Sequence, residues 1–420
     1  MRVLQARSGG TTDTCSRLRG VVFLLMATAL IACADIDEAR SPHVADSAVG
    51  PKTTVDCDFN DVVFDANFPT GELDGCSKSE DGFYVLRFDP ENAPINPSPW
   101  YAFRVRSSSE QEISVRLTYS LHRHRYWPKL SADGKHWQRA SVGSVSLDAE
   151  TGTASLRLRV GSTPLFVAGQ EILASEDYDD WTRSMAEGDV FERLLFGKSA
   201  QGRDIWKLEF DAGTGRYVAF IGRQHPPETT GGLALKHYVE RISEMDPLAV
   251  TFRDQFGIVV VPNLNPDGVD LGYWRHSTGG VDLNRDWGPF TQPETQLMRD
   301  ELERFSPVGG DSLFLFLDFH STGKDVLYTQ PPNLQTVPVD FTSRWVAGLQ
   351  QALSQSVPGY PVTVEPGHNL DLPTSRNYVF ARYRAPSITF EVGDESDRKF
   401  IRTYARTAAE QMMKLLLEYL

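Results

Sequence analysis

Hydrophobic and polar positions fall into two regimes along the chain. From Val55 to about Ala168 the runs are short and alternate. Tyr101-Ala102-Phe103-Arg104-Val105, Ile113-Ser114-Val115-Arg116-Leu117 and Ser155-Leu156-Arg157-Leu158-Arg159-Val160 follow a two-residue period, and Phe83 to Phe88 is rich in strand formers. Turn clusters such as Asp133-Gly134 separate them, with no long helical period between. This pattern predicts an antiparallel β-sandwich domain over residues 55–168. After about Pro164 the apolar runs become continuous, at Tyr217–Ile221, Ile258–Val261, Leu313–Leu317 and Ser387–Phe390. Stretches of helical character separate or follow them, around Leu233–Ile242, Glu294–Phe305, Val337–Ser354 and Lys399–Leu420. Apolar strands alternating with helices predict an α/β domain over residues 169–420, a doubly wound sheet covered on both faces.

The N-terminus adds an expectation about location. Arg2, Arg7, Arg17 and Arg19 precede a mostly apolar run of 11 residues, Val21 to Ile31, too short to span a bilayer and suited to the core of an export signal. The run ends in Leu30-Ile31-Ala32-Cys33, similar to the lipobox of bacterial lipoproteins. Residues 1–32 are therefore expected to be a lipoprotein-type signal peptide and residues 33–54 a tether. Cys33 would carry the lipid of an exported outer-membrane protein that meets the membrane through that anchor alone. Ala32-Cys33-Ala34 also fits an ordinary cleavage site, which would release a free protein. In an exported chain Cys57 and Cys76 are expected to pair as a disulfide, two free thiols being the alternative. Composition is that of an ordinary globular protein, 40% hydrophobic and 23% charged. The formal net charge of -14 argues against a nucleic-acid partner, because like charges repel the phosphate backbone.

In sheets of the second kind, ligand sites lie beyond the strand C-termini. The first apolar run leads into Arg223-Gln224-His225-Pro226-Pro227-Glu228 and the second into Asn265-Pro266-Asp267-Gly268. The third ends in Asp318-Phe319-His320-Ser321 and the fourth in Glu391. His225, Glu228 and His320 match the ligand set of a catalytic zinc, with a fourth position left for water. Two neutral imidazoles and one carboxylate leave such a centre net positive, able to acidify a water and polarise a peptide carbonyl. Glu391 is placed as the general base rather than a fourth ligand. A second pair of the same spacing, His237 and Glu240, lies within a helical stretch beside Lys236 and Arg241 and reads as a solvated helix face.

At this point the chain resembles the zinc carboxypeptidases related to carboxypeptidase A. The resemblance runs, in order, through His225/Glu228, Asn265 to Gly268, Trp274-Arg275, Gly280-Val281-Asp282-Leu283-Asn284-Arg285, His320 and Glu391, and covers about Phe196 to the C-terminus. The N-terminal part, with Asn67-Phe68-Pro69-Thr70-Gly71 and Trp100 to Val105, looks like the extra domain of the cytosolic-carboxypeptidase branch. The resemblance implies a carboxypeptidase-like mixed sheet and one Zn2+ per chain, with peptide or protein C-termini as substrate. It gives Asn284 and Arg285 the substrate's terminal carboxylate, and Arg275 the oxyanion of the tetrahedral intermediate. Asp282 would orient His225 from behind. Surface ion pairing is the bland alternative for Arg275 and Arg285.

Two departures stand out. Pro227 occupies a place where many relatives have an arginine, and Asn369 falls where their carboxylate-capping tyrosine is expected, leaving Tyr378 and Tyr383 as substitutes. In the family, a residue about fifteen positions before the catalytic glutamate selects the terminal side chain. Here it is Arg376, which implies a preference for Glu or Asp at the C-terminus. The competing expectation has Arg376 facing solvent or pairing with Asp371. Two further functions fit the chain: an amidase or peptidase of peptidoglycan stem peptides, and a lipid-anchored binding protein whose catalytic domain is vestigial.

Overall fold

The computed structural model describes residue 55 and residues 57–305 and 310–420. The signal peptide, the tether and Cys33 lie outside the described residues. Among those described, no helix is long and apolar enough to cross a membrane.

The alternating runs of the first half form two facing sheets. The six-stranded sheet has the order Cys57–Asp58, Val62–Asp65, Ala102–Ser107, Leu165–Ala168, Lys129–Ser131, Gln138–Arg139, antiparallel throughout. The five-stranded sheet has the order Gly75–Lys78, Tyr84–Phe88, Gln111–Tyr119, Thr153–Val160, Val145–Asp148. One pair departs from the antiparallel expectation, since Tyr84–Phe88 runs parallel to Gln111–Tyr119. The inward positions of the two sheets, among them Phe64, Leu86, Phe103, Val115 and Leu156, share one core. Cys57 of one sheet and Cys76 of the other form a disulfide with a Cα–Cα distance of 6.1 Å, a staple worth ~2–4 kcal/mol for a loop of this kind.

The second half is built on an eight-stranded mixed sheet. Its strands in chain order are β1 (Glu192–Lys198), β2 (Asp204–Phe210), β3 (Arg216–Gly222), β4 (Gly257–Val261), β5 (Ser312–Thr322), β6 (Val326–Thr329), β7 (Val364–Pro366) and β8 (Ser387–Gly393). They lie in the order β1-β2-β4-β3-β5-β8-β6-β7. The four central strands β4-β3-β5-β8 are mutually parallel, and these are the continuous apolar runs. The helices are α1 (Ser175–Glu187), α2 (Thr229–Ile242), α3 (Pro247–Arg253), α4 (Pro266–Asp270), α5 (Pro293–Leu302), α6 (Phe341–Ser356), α7 (Ser375–Tyr383) and α8 (Arg398–Leu417).

The two-residue period sends alternate side chains of each central strand into different cores. Val218 and Phe220 of β3 and Ile258 and Val260 of β4 join α2, α3, α6 and α8. Ala219, Ile221, Val259 and Val261 face the other way, towards α5 and α7. On β5, Leu315, Leu317 and Phe319 point into the first core, so Phe316, Asp318 and His320 lie on the opposite face. Glu391 shares that face, because Phe390 and Val392 point into the first core. Polar groups thus replace apolar ones at the C-terminal end of the second core.

Several boundaries differ from expectation. β5 runs on to Thr322 and β8 to Gly393, so His320 and Glu391 lie inside strands and are direct partners across them. α6 begins at Phe341, four positions after the predicted start, and α5 ends at Leu302.

Candidate metal centre

The three expected ligands converge. His225 follows β3, Glu228 immediately precedes α2, and His320 comes from β5. Their donor atoms all lie within 4.8 Å of one another, and all three residues are buried. Glu228 makes no capping bond to α2; its carboxylate faces His225 Nδ1 and His320 Nδ1 at 2.7 Å each. The other nitrogen of each imidazole is committed. His225 Nε2 donates to Asp282 Oδ1 at 2.9 Å, and His320 Nε2 donates to Asp318 Oδ2 at 2.8 Å. With a metal held between them, these pairings would keep the proton on each Nε2 and leave each Nδ1 as the ligand atom. This donor set fits zinc. The electrostatics agree. Burial raises the Glu228 pKa, but the two imidazoles outweigh it and hold the carboxyl well below its ordinary range. Burial likewise opposes ionisation of Asp282, and Arg275, His225 and Arg285 overcome it.

The close fit depends on glycine. A Cβ on Gly231, in the first turn of α2, would stand 2.4 Å from the carbonyl oxygen of His320. Asn265 ties the loops together: its Oδ1 accepts from Gly268 N at 3.0 Å, and its Nδ2 donates to the carbonyls of Gln224 and His276, both at 3.1 Å.

Glu391 is partly buried beside this cluster, its Oε2 shielded and without a hydrogen-bond partner among the described residues. Burial pushes its pKa up to about 8; His320 opposes the rise and Glu228 adds to it. Arg275 Nε donates to Asp282 Oδ2 at 2.7 Å, so Asp282 joins Arg275 to His225. Asn284 Nδ2 lies 3.3 Å from His320 Nε2, and Asn284 Oδ1 accepts from Ser375 N at 3.0 Å. Arg285 is adjacent, donating to the Asn284 carbonyl at 3.1 Å. Arg376, the next residue on α7, is 2% exposed and donates to the His368 carbonyl, so it neither faces solvent nor pairs with Asp371.

A family model described as zinc carboxypeptidase matches residues 178–411, more than half of the chain. The chain belongs to the zinc carboxypeptidase family. Human cytosolic carboxypeptidase 6 is 25% identical over 295 residues, which are 62% of this chain and 57% of that protein. The chain thus spans little more than half the length of that relative. An uncharacterised protein of Zymomonas mobilis is 26% identical over 314 residues, covering 70% and 78% of the two chains. The fold is shared with a metallo-carboxypeptidase of Burkholderia cenocepacia, at a TM-score of 0.70 and 17% identity over 86% of this chain and 100% of that one.

The two tyrosine substitutes are not part of this carboxypeptidase centre. Tyr378 packs on Phe290 and Trp287, ring centroids 5.0 and 6.0 Å apart, and Tyr383 is buried in the same apolar cluster. His237 and Glu240 pair with each other at 2.9 Å on the partly buried side of α2. Asp318 escaped the sequence reading as the partner of His320. Its position two residues earlier in a strand was the available signal, since i and i+2 share a face.

Proposed function

We propose that this zinc carboxypeptidase releases the C-terminal residue of a peptide, prefers Glu or Asp there, and holds one zinc ion per chain through His225, Glu228 and His320. Export, with a lipid on Cys33, is part of the same reading and is supported by the leader and lipobox. The acidic preference rests above all on Arg376. Its Nε and Nη1 are buried with no hydrogen-bond partner among the described residues. Burial pushes its pKa down to about 10, with Tyr328, Asp318 and Glu391 opposing. An unpaired buried guanidinium is unfavourable, and a terminal Glu or Asp carboxylate would accept both vacant N–H groups. An apolar side chain would leave them unmatched.

When bound, zinc supplies Lewis acidity that acidifies a water and draws electron density from the scissile carbonyl. The rest falls to the chain. Asn284 and Arg285 grip the terminal carboxylate and make the enzyme an exopeptidase. Glu391 takes the proton of the attacking water and delivers it to the leaving amine. Arg275 donates to the oxygen on which charge develops. Asp282 and Asp318 hold the imidazoles still.

The test is a peptide library varied at its C-terminus, incubated with the zinc-loaded protein and read by mass. Single residues should be released, Glu and Asp fastest, and Arg376→Ala should lose roughly 10- to 100-fold of that preference. Faster release of Leu or Lys than of Glu would remove the pocket assignment. Cleavage of peptidoglycan fragments alone would replace the substrate class.

A further inference from the structure

The Arg275 segment belongs to the catalytic half in sequence and to the sandwich in packing. Trp274 has no exposed surface and sits in the sandwich core, its ring 6.2 Å from that of Tyr119. From the sandwich side, the Glu91 carboxylate accepts three consecutive backbone N–H groups: Trp274 at 2.7 Å, Arg275 at 2.9 Å and His276 at 2.6 Å. The Glu91 side chain is wholly buried. Asn92, beside it, donates to the Gly280 carbonyl at 2.9 Å and bonds His276 Nδ1. From this clamped backbone, Arg275 reaches Asp282, and Asp282 reaches the ligand His225.

We propose that Glu91 is a positioning residue for catalysis: by clamping residues 274–276 it sets Arg275 and Asp282, making the β-sandwich a working part of the active site. This rests on the reading of Arg275 as the oxyanion donor. A carboxylate suits the task because three donors need both of its oxygens, and an amide offers one. The sandwich also grips the loop that follows the catalytic base. Arg125 Nε donates to Asp394 Oδ2 at 2.9 Å, and Lys129 Nζ and Trp127 N donate to Glu395 Oε1 at 2.8 and 3.1 Å. The same domain thus bears on the catalytic half at two places, at Arg275 and just beyond Glu391. A purely structural seam would hold the halves together without setting the rate.

The experiment compares zinc-loaded wild type, Glu91→Gln, Arg275→Gln and the double variant on the peptide that the wild type cleaves fastest. Zinc content and thermal midpoint are measured alongside. Glu91→Gln keeps the shape of the side chain but turns an N–H towards a backbone N–H. It should lower kcat by roughly 10- to 100-fold with KM and zinc content unchanged, because a small misplacement of a catalytic group is amplified in the rate. In the Arg275→Gln background the same change should add almost nothing. Glu91→Asp, which keeps the charge one methylene short, should fall between wild type and Glu91→Gln, and it serves if Glu91→Gln fails to fold. A lower thermal midpoint with normal kcat overturns the proposal, as does a full Glu91→Gln loss persisting beside Arg275→Gln. Near-normal kcat in Arg275→Gln alone overturns the reading of Arg275 and the proposal with it.

Discussion

The decisive residues act through identity and facing together. Asp318 and His320 stand two apart on β5, and Glu391 lies beside His320 on β8, so one sheet face carries the candidate ligand, the carboxylate paired with it and the proposed base. The types were readable in the sequence, because a catalytic zinc takes imidazole and carboxylate ligands and sites in such sheets lie beyond the strand ends. Replacing Glu391 by Gln should leave zinc bound and lower kcat by roughly 10²- to 10⁴-fold; normal turnover in the zinc-loaded variant would exclude it as base. A second titratable group makes the sandwich acid-sensitive. Burial lowers His124 from an ordinary 6.5 to about 4, and its Nε2 has no hydrogen-bond partner among the described residues. The unfolded chain therefore takes the proton first. This stability is fully present above about pH 6.5, falls as pH drops below that, and is lost by about pH 4, on the order of 3 kcal/mol in all. Thermal melts across that range should show the decline, and His124→Gln should flatten it. An unchanged slope in the variant would assign the acid sensitivity elsewhere.

At the scale of elements, the continuous apolar strands were legible and the flanking ones were not. β3, β4, β5 and β8 are buried on both faces and read as unbroken runs. β1 has no fully buried position, and β6 and β7 are four and three residues long, too short to set a period. How closely α2 lies on β5 was also beyond a linear reading, because nothing beside Gly231 announces the backbone of His320. Gly231→Ala should force the helix outward, at a cost of about 1–3 kcal/mol, and weaken zinc binding by moving Glu228 relative to His320. Chemical denaturation and a chelator competition would read the two effects. Wild-type values for both would mean that the helix shifts freely.

At the scale of the molecule, the two halves are joined across their seam by Glu91, Arg125 and Lys129. Ahead of them lies the proposed leader. Cys33→Ser should release the protein to a soluble fraction or block its processing, as fractionation of expressing cells would show; unchanged membrane association would count against lipidation. The sequence by itself determined the strand-rich and α/β halves and singled out His225, Glu228, His320 and Glu391 as candidates, because burial periodicity and metal chemistry are local constraints on residue type. It also brought Arg376 forward by position along the chain. Only the tertiary structure decided that Arg376 is buried with vacant donors, that Tyr378 and Tyr383 belong to an apolar core, and that Glu91 clamps the Arg275 segment. Glu91 and Arg275 are 184 positions apart, and a carboxylate that finds its amide partners across such a distance leaves no periodic or compositional trace.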